Sequence, residues 1–327
     1  MLRIWECCDT LYGGRWSNPS SERYKKMNKK VTIILIVLAV ILVGAEVVLR
    51  YYGFCDAVLF REDPDFEYIA NPNQERFRYG NHIRYNSNSM RSEEVDTSAY
   101  VIIGFGDSII NGGQQTDNDA LATTILSDTL SVIQGRKVQF LNVSEKSWGP
   151  DNHFEYLKKY GRFGAHEIFL FVSSHDAHDT MTFEKVVGVD EDYPSKQYAL
   201  ALLELADRYI RPRLMGLLGE NETENLAIND KKESGLNGGF MSFLTYSKDQ
   251  NIPITIYLHA EAGEVEARSY NQDGQEIIKF AKDNNVPLIL DLENGLRMSD
   301  FRDYIHINPA GQKKLAEIVL KHVGDAN

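Results

Sequence analysis

The order of apolar and polar positions divides the chain into a short front end and a long patterned part. Residues 31–45 run without a single charge, and Glu46 then interrupts before Val47-Val48-Leu49 and Arg50. Counted from Val31 to Leu49, the run is nineteen residues, or about 28 Å of helix, close to one hydrocarbon thickness. From residue 51 to about 98 no period is sustained, and Pro64, Pro72 and several Asn and Arg break the chain. That stretch reads as a stalk plus an edge segment of the domain that follows. Beyond it, short runs of branched apolar residues recur, each followed by helical spacing. Strands are predicted at 101–105, 138–143, 168–172, 254–258 and 287–290, and helices at 121–133, 154–160, 269–283 and 309–323. The last helix has Pro309 in its first turn, where a missing N–H costs nothing. Such alternation over about 230 residues predicts an α/β fold: a three-layer α/β/α sandwich on a parallel sheet of about five strands, covered on both faces. Between the third and fourth strands lies an insertion at about 186–240. Its residues 197–218 carry apolar positions at helical spacing, with Tyr198, Leu202, Leu205 and Tyr209 expected to pack on the sheet; residues 219–239 are polar.

Charge gives the apolar run a direction. Residues 1–30 hold seven basic and three acidic side chains, including Arg23, Lys25, Lys26, Lys29 and Lys30, whereas the whole chain has a net charge of −12. Basic flanks stay in the cytoplasm, which puts everything after Arg50 outside it. The expected organisation is a cytoplasmic segment over 1–30, a transmembrane signal anchor over 31–49, the stalk and edge segment over 50–97, and one domain over 98–327. Two readings of the run stay open. Val43-Gly44-Ala45 resembles a signal-peptidase site, whereas apolar sequence continuing past Glu46, whose carboxylate can snorkel to the interface, favours an uncleaved anchor. Phe54 occupies the place where a lipobox before Cys55 needs a small residue, and Met27 offers an alternative start. The acidic balance argues against a nucleic-acid partner. Three cysteines, Cys7, Cys8 and Cys55, cannot build a disulfide framework or a four-cysteine zinc site.

In an open parallel sheet, ligands bind at the carboxyl ends of the strands. After the first predicted strand comes Gly106-Asp107-Ser108, with neither a third glycine for a dinucleotide nor a Walker lysine. A serine at a strand-to-helix turn can serve as a nucleophile, and it can equally be a helix cap. Asp303-Tyr304-Ile305-His306, just before the final helix, favours the first role. At that spacing Asp303 can fix the tautomer of His306, leaving its other nitrogen to take the proton of Ser108.

These blocks resemble the SGNH (GDSL-like) hydrolase family. Gly106-Asp107-Ser108 is similar to its nucleophile block, and Asp303-Tyr304-Ile305-His306 with Ile307-Asn308-Pro309-Ala310-Gly311 to its last block. Asn86-Ser87-Asn88-Ser89-Met90-Arg91 is similar to the Asn-x-x-Gly-x-Arg stretch of membrane-anchored members, with Ser89 for the glycine. The resemblance implies an SGNH/flavodoxin-like sandwich and catalysis by Ser108, His306 and Asp303. It also implies an oxyanion hole from the N–H groups of Ser108 and of Gly149 in Ser147-Trp148-Gly149-Pro150. The third block departs: Ser173-Ser174-His175-Asp176 stands where the family has Gly-x-Asn-Asp, so His175 is the expected third donor. His175-Asp176-Ala177-His178-Asp179 also admits a metal-ligand or a merely solvated reading.

Trp148, Asp176, His259 and Glu261 are further positions for substrate contact, with a core place for Trp148 and a surface or capping place for His259 and Glu261 as the competing readings. Asn142-Val143-Ser144 and Asn221-Glu222-Thr223 match a glycosylation pattern that is frequent by chance. The resemblance implies a serine ester hydrolase that needs no metal or organic cofactor. Location and resemblance together point to an acylated envelope or extracellular glycan, or a small ester, as substrate. An O-acyltransferase using the same triad and a non-catalytic glycan-binding protein remain as alternatives.

Overall fold

A computed structural model describes residues 28–217 and 235–324. The basic residues before Asn28, the alternative start at Met27, the motif Asn221-Glu222-Thr223 and most of the polar stretch 219–239 lie outside the described residues. Helix α1, Lys29–Tyr51, has 23 residues with none buried and a mean hydropathy of 3.0 over its most apolar window. It is long and apolar enough to cross a membrane. The chain divides into two units, Met1–Ala45 and Glu46–Asn327.

Residues 50–97, expected as a stalk plus an edge segment, pack on the domain as an edge segment over much of their length. They form two antiparallel hairpins, β1 (Phe60–Asp63) with β2 (Glu67–Ala70) and β3 (Gln74–Arg78) with β4 (Asn81–Tyr85). Phe60, Phe66, Tyr68, Ile69, Ile83, Tyr85 and Met90 belong to the same buried core as the sheet. Burial along these strands follows no alternation, because each short strand packs on the sandwich with parts of both faces.

The central sheet is parallel and five-stranded as expected, in the order β6-β5-β7-β8-β9. Its strands are β5 (Tyr100–Gly106), β6 (Val138–Ser144), β7 (Glu167–Ser173), β8 (Ile254–His259) and β9 (Leu288–Leu290). β5 and β7 are buried on both faces beyond their first residue, and β6 throughout, which explains their unbroken apolar character. Register brings Gly106 opposite Ser144 and Phe171, and Ser173 opposite His259. The carboxyl ends of β5, β6, β7 and β8 therefore form one edge. Short α2 (Ser108–Asn111) follows β5 directly, with α3 (Ala122–Gln134) and α4 (Pro150–Tyr160) after it. A Cβ at Gly106 would stand 2.8 Å from the Ile110 side chain, so glycine lets α2 fold back on its own strand.

In the insertion, α5 (Ala201–Leu205) and α6 (Arg211–Leu217) flank a π-turn over Ala206–Ile210. They do not lie on the sheet. A buried ion pair of Glu204 with Arg78, and bonds from Arg78 Nη1 to the Gly53 carbonyl (2.9 Å) and from the Cys55 N–H to Glu204 (2.6 Å), hold α5 to the turn end of the β3–β4 hairpin and to the segment before β1. A helix that the apolar pattern did not reveal, α7 (Gly238–Gln250), packs on α4; α8 (Ala262–Ala267), α9 (Gln272–Asp283) and α10 (Pro309–Gly324) complete the unit.

The stretch before β5 has a defined task. Asn86 Oδ1 accepts from the N–H groups of Asn88 (2.9 Å) and Met90 (3.0 Å), turning the chain so that Arg91 enters the core. The Arg91 guanidinium then donates to the carbonyls of Asn111, Gly113 (2.5 Å) and Thr116, fixing the loop after α2. Ser89 sits at φ +59°, in the left-handed region, and its buried hydroxyl has no partner. Left-handed backbone costs a non-glycine residue roughly 1–2 kcal/mol, offset in part by the entropy a glycine loses on folding. Ser89→Gly should therefore stabilise the fold by about 1 kcal/mol, raising the melting temperature by about 2 °C in a calorimetric scan. A lower melting temperature would show that the turn is relaxed with serine.

Candidate active site

Ser108 is the first residue of α2, placed at the mouth of β5 by the tight return through Gly106. Asp107 caps the helix, its Oδ1 accepting from the Ile109 N–H at 2.8 Å. As a first-turn amide the Ser108 N–H has no intrahelical acceptor, and it makes no other hydrogen bond among the described residues. The Ser108 hydroxyl lies 3.0 Å from His306 Nε2. His306 Nδ1 lies 3.0 and 2.9 Å from the two oxygens of Asp303. A carboxylate only accepts, so the imidazole proton sits on Nδ1 and Nε2 presents a lone pair to the hydroxyl. Partial burial would raise the Asp303 carboxyl, but the N–H groups of His306 (2.7 Å) and Ile305 (3.0 Å) and the imidazole hold it below the ordinary carboxylate range. Asp303 is half exposed, so the pair serves orientation more than stability.

The turn that carries Asp303 and His306 is fixed from three sides. An antiparallel bridge pairs Phe301 with Ile307, and the Arg302 N–H donates to the His306 carbonyl at 2.9 Å. Asn308 caps α10 through the N–H groups of Ala310 (2.9 Å) and Gly311 (3.0 Å). Buried Gln312 ties α10 to the nucleophile's surroundings: its Oε1 accepts from the Ala122 N–H (2.9 Å) and its Nε2 donates to the Ile109 carbonyl (2.6 Å).

His259 was expected as a possible substrate contact, and the structure corrects this. It is fully buried at the end of β8, with Nδ1 2.6 Å from Asp291 Oδ2 and Nε2 3.1 Å from the Ile305 carbonyl. Both partners only accept, so the ring is doubly protonated. Burial alone would lower its pKa, but Asp291 raises it. Its imidazolium thus grips the backbone one residue before His306. Asp291 directly follows β9 and also accepts from the Ala260 N–H (2.9 Å). Sequence reading passed over Asp291 and Gln312; the available signal was a carboxylate immediately after a buried strand.

Three other expected positions also move. Trp148 is a core residue, not a stacking platform: its Nε1 donates to the Tyr68 carbonyl at 3.1 Å and its ring packs on Phe66. The Gly149 N–H donates to Asn152 Oδ1 at 3.0 Å, as part of the cap of α4, and so is already engaged. Asp176 is buried, with Oδ2 accepting from the Ser173 N–H at 2.6 Å, so it shapes the loop rather than meeting substrate.

His175 does reach this edge of the sheet. It stands on a 3-10 turn, Ser174–Ala177, directly after β7. Nδ1 lies 3.2 Å from Glu261 Oε1, and Nε2 lies 3.6 Å from Asp176 Oδ1 and 3.8 Å from Asp107 Oδ2. Burial would lower its pKa, but Asp176, Glu261 and Asp107 push it up to about 10. The ring is an imidazolium with 34% of its side chain exposed, and its Nε2–H has no acceptor within hydrogen-bond reach among the described residues. By ligand distance alone, two groups could hold a cation: Asp107, His175 and Asp176, and separately His178, Asp273 and Glu276. In the first, the His175 imidazolium sets one positive charge against Asp107 and Asp176, and burial pushes the Asp176 carboxyl well above the ordinary carboxylate range.

A parallel sheet with serine, histidine and aspartate gathered at its carboxyl edge is the class of architecture that the fold and geometry define. No protein-family model matches the chain, and no curated protein does. Solved structures similar to it include a lipolytic G-D-S-L family protein from Veillonella parvula, with 14% identity, 68% of this chain and 97% of that one covered, and a TM-score of 0.39. A lipase/acylhydrolase from Enterococcus faecalis gives 13%, 68%, 95% and 0.40. An acetyl xylan esterase from Geobacillus stearothermophilus gives 12%, 69%, 94% and 0.39.

If His259 and Asp291 set the position of His306, Asp291→Asn should slow the reaction of Ser108 with a fluorophosphonate on the order of 10²-fold, the scale expected for a misplaced catalytic group. Circular dichroism of the same sample checks that the fold is kept. An unchanged labelling rate in the folded variant would remove the pair from the argument.

Proposed function

We propose that this chain is a serine-dependent ester hydrolase, an O-deacylase acting outside the cytoplasm from one N-terminal membrane anchor. The observation that carries the reading is the unbroken line from the Ser108 hydroxyl through His306 to Asp303, assembled from residues 198 positions apart. Ser108 Oγ attacks the acyl carbon while its proton passes to His306 Nε2. The tetrahedral intermediate expels the alcohol, which takes that proton, and an acyl-serine remains. Water then gives a proton to His306 and attacks the acyl carbon, releasing the acid and restoring Ser108.

The oxyanion is held by the Ser108 N–H and the His175 Nε2–H, the open donors on this edge; the engaged amide of Gly149 is not required. A charged imidazolium in place of the family's asparagine puts a cation among the acidic groups of this edge, and Glu261 orients it. Acylated glycans of the cell envelope are the substrate class that a place outside the cytoplasm, together with the resemblance of the sequence blocks, supports.

Full-length protein treated with a fluorophosphonate should be labelled at Ser108, with labelling lost in both Ser108→Ala and His306→Ala. Equal labelling of His306→Ala and native protein would overturn the reading.

His175 supplies a second test. Its folded pKa is raised, so the cation is fully present at neutral pH and is lost as pH rises through about 10. Hydrolysis of a small ester should fall across that range in the native protein and lack that fall in His175→Asn. His175→Ala should lose on the order of 10²–10³ in rate at pH 8, the usual cost of one oxyanion donor. A His175→Ala enzyme as fast as the native one would take His175 out of the mechanism.

A further inference from the structure

The insertion presents an apolar stripe that no other described part of the chain covers. Leu200, Leu203, Ile210, Leu214 and Leu217 are all exposed, at spacings that keep them on one side of the helical stretch through α5, the π-turn and α6. The opposite side is the one fastened to the domain, with Glu204 buried against Arg78 and Leu202, Leu205 and Tyr209 half-buried. The stretch from Leu200 to Leu217 is about 25 Å long at helical rise. Asp207, paired with Arg211 at 3.3 Å, interrupts it once between Leu203 and Ile210, and exposed apolar side chains grouped over such a length mark a contact surface.

We infer that this stripe lies in the headgroup region of a lipid bilayer, as a membrane contact additional to the apolar run; the inference rests on reading residues 29–51 as a membrane span. Position carries the choice of partner. The Glu46 carboxylate accepts from the N–H groups of Ala201 (2.9 Å) and Leu202 (3.0 Å), and Arg50 donates to the Ala199 carbonyl at 2.8 Å. The stripe thus begins within hydrogen-bond distance of the point where the apolar run ends. This places Glu46 in a structural role instead of the free snorkelling expected from sequence. Tyr51 and Tyr52, both exposed and packed edge to face, follow immediately, and aromatic residues of this kind concentrate at membrane interfaces. Arg213 is also exposed and, although its Nη1 donates to the Tyr209 carbonyl at 2.6 Å, its remaining N–H groups suit anionic headgroups.

The test uses the full chain with Cys7, Cys8 and Cys55 replaced by serine, reconstituted in phosphatidylcholine–phosphatidylglycerol vesicles. An environment-sensitive fluorophore is attached at Leu214→Cys, at Val40→Cys in the apolar helix, or at Val132→Cys, which is 84% exposed on α3. Brominated lipids should quench the labels at Leu214 and Val40, with loss of most of their emission, and leave Val132 unchanged. Quenching at Val40 but not at Leu214 overturns the inference, and a blue-shifted yet unquenched label at Leu214 overturns it in favour of a second copy or another protein. Absence of quenching at both overturns the membrane span on which the inference rests.

Discussion

A buried imidazole gripping one carbonyl underlies the geometry of the reactive edge. His259 donates to Asp291 and to Ile305, so the turn bearing His306 is held to the ends of β8 and β9 by charge-assisted bonds in a dry environment. Charged hydrogen bonds are shorter and stronger than neutral ones, and a buried carboxylate without its cation would be costly. Removal of either partner therefore strands the other. Gln312 does the corresponding work on the opposite side, joining α10 to the backbone around α2. Between them, two side chains that face no substrate fix the distance between the two that would.

The electrostatic character of the edge follows from an uneven division of charge. Asp107, Asp176 and Glu261 converge on His175, and their combined field holds a proton that a solvated imidazole would release near neutrality. An asparagine at this place would donate through a neutral amide and leave those carboxylates unbalanced. The departure at position 175 is thus matched by its surroundings: the histidine and its acidic neighbours form one unit, and substitution of either alone unbalances the other.

Legibility in the sequence tracked how local each feature is. The five strands were readable because burial on both faces makes an unbroken apolar run. Ser108 and the pair Asp303 and His306 stood out because each lies within a short block next to a predicted element. What escaped depends on partners far along the chain. Asp291 is meaningful only beside His259 and Ile305. The Gly149 N–H is taken by Asn152, a capping choice that no glycine pattern displays. Both a platform and a core place stayed open for Trp148 because its partner, the Tyr68 carbonyl, lies 80 positions away in a segment read as a stalk plus an edge segment. The strands of that segment escaped because, like β2 with all four residues buried, they offer no period to detect.

The 198-residue gap between Ser108 and His306 has a consequence for biosynthesis. The chain emerges from its amino terminus, so the serine leaves the ribosome long before the turn and α10 that would activate it. Until residues 301–324 are made and docked, its hydroxyl is an ordinary alcohol. An esterase with this chain order would be harmless to acylated molecules met in transit, since its reactivity is switched on by completion of the fold and requires no propeptide to be removed.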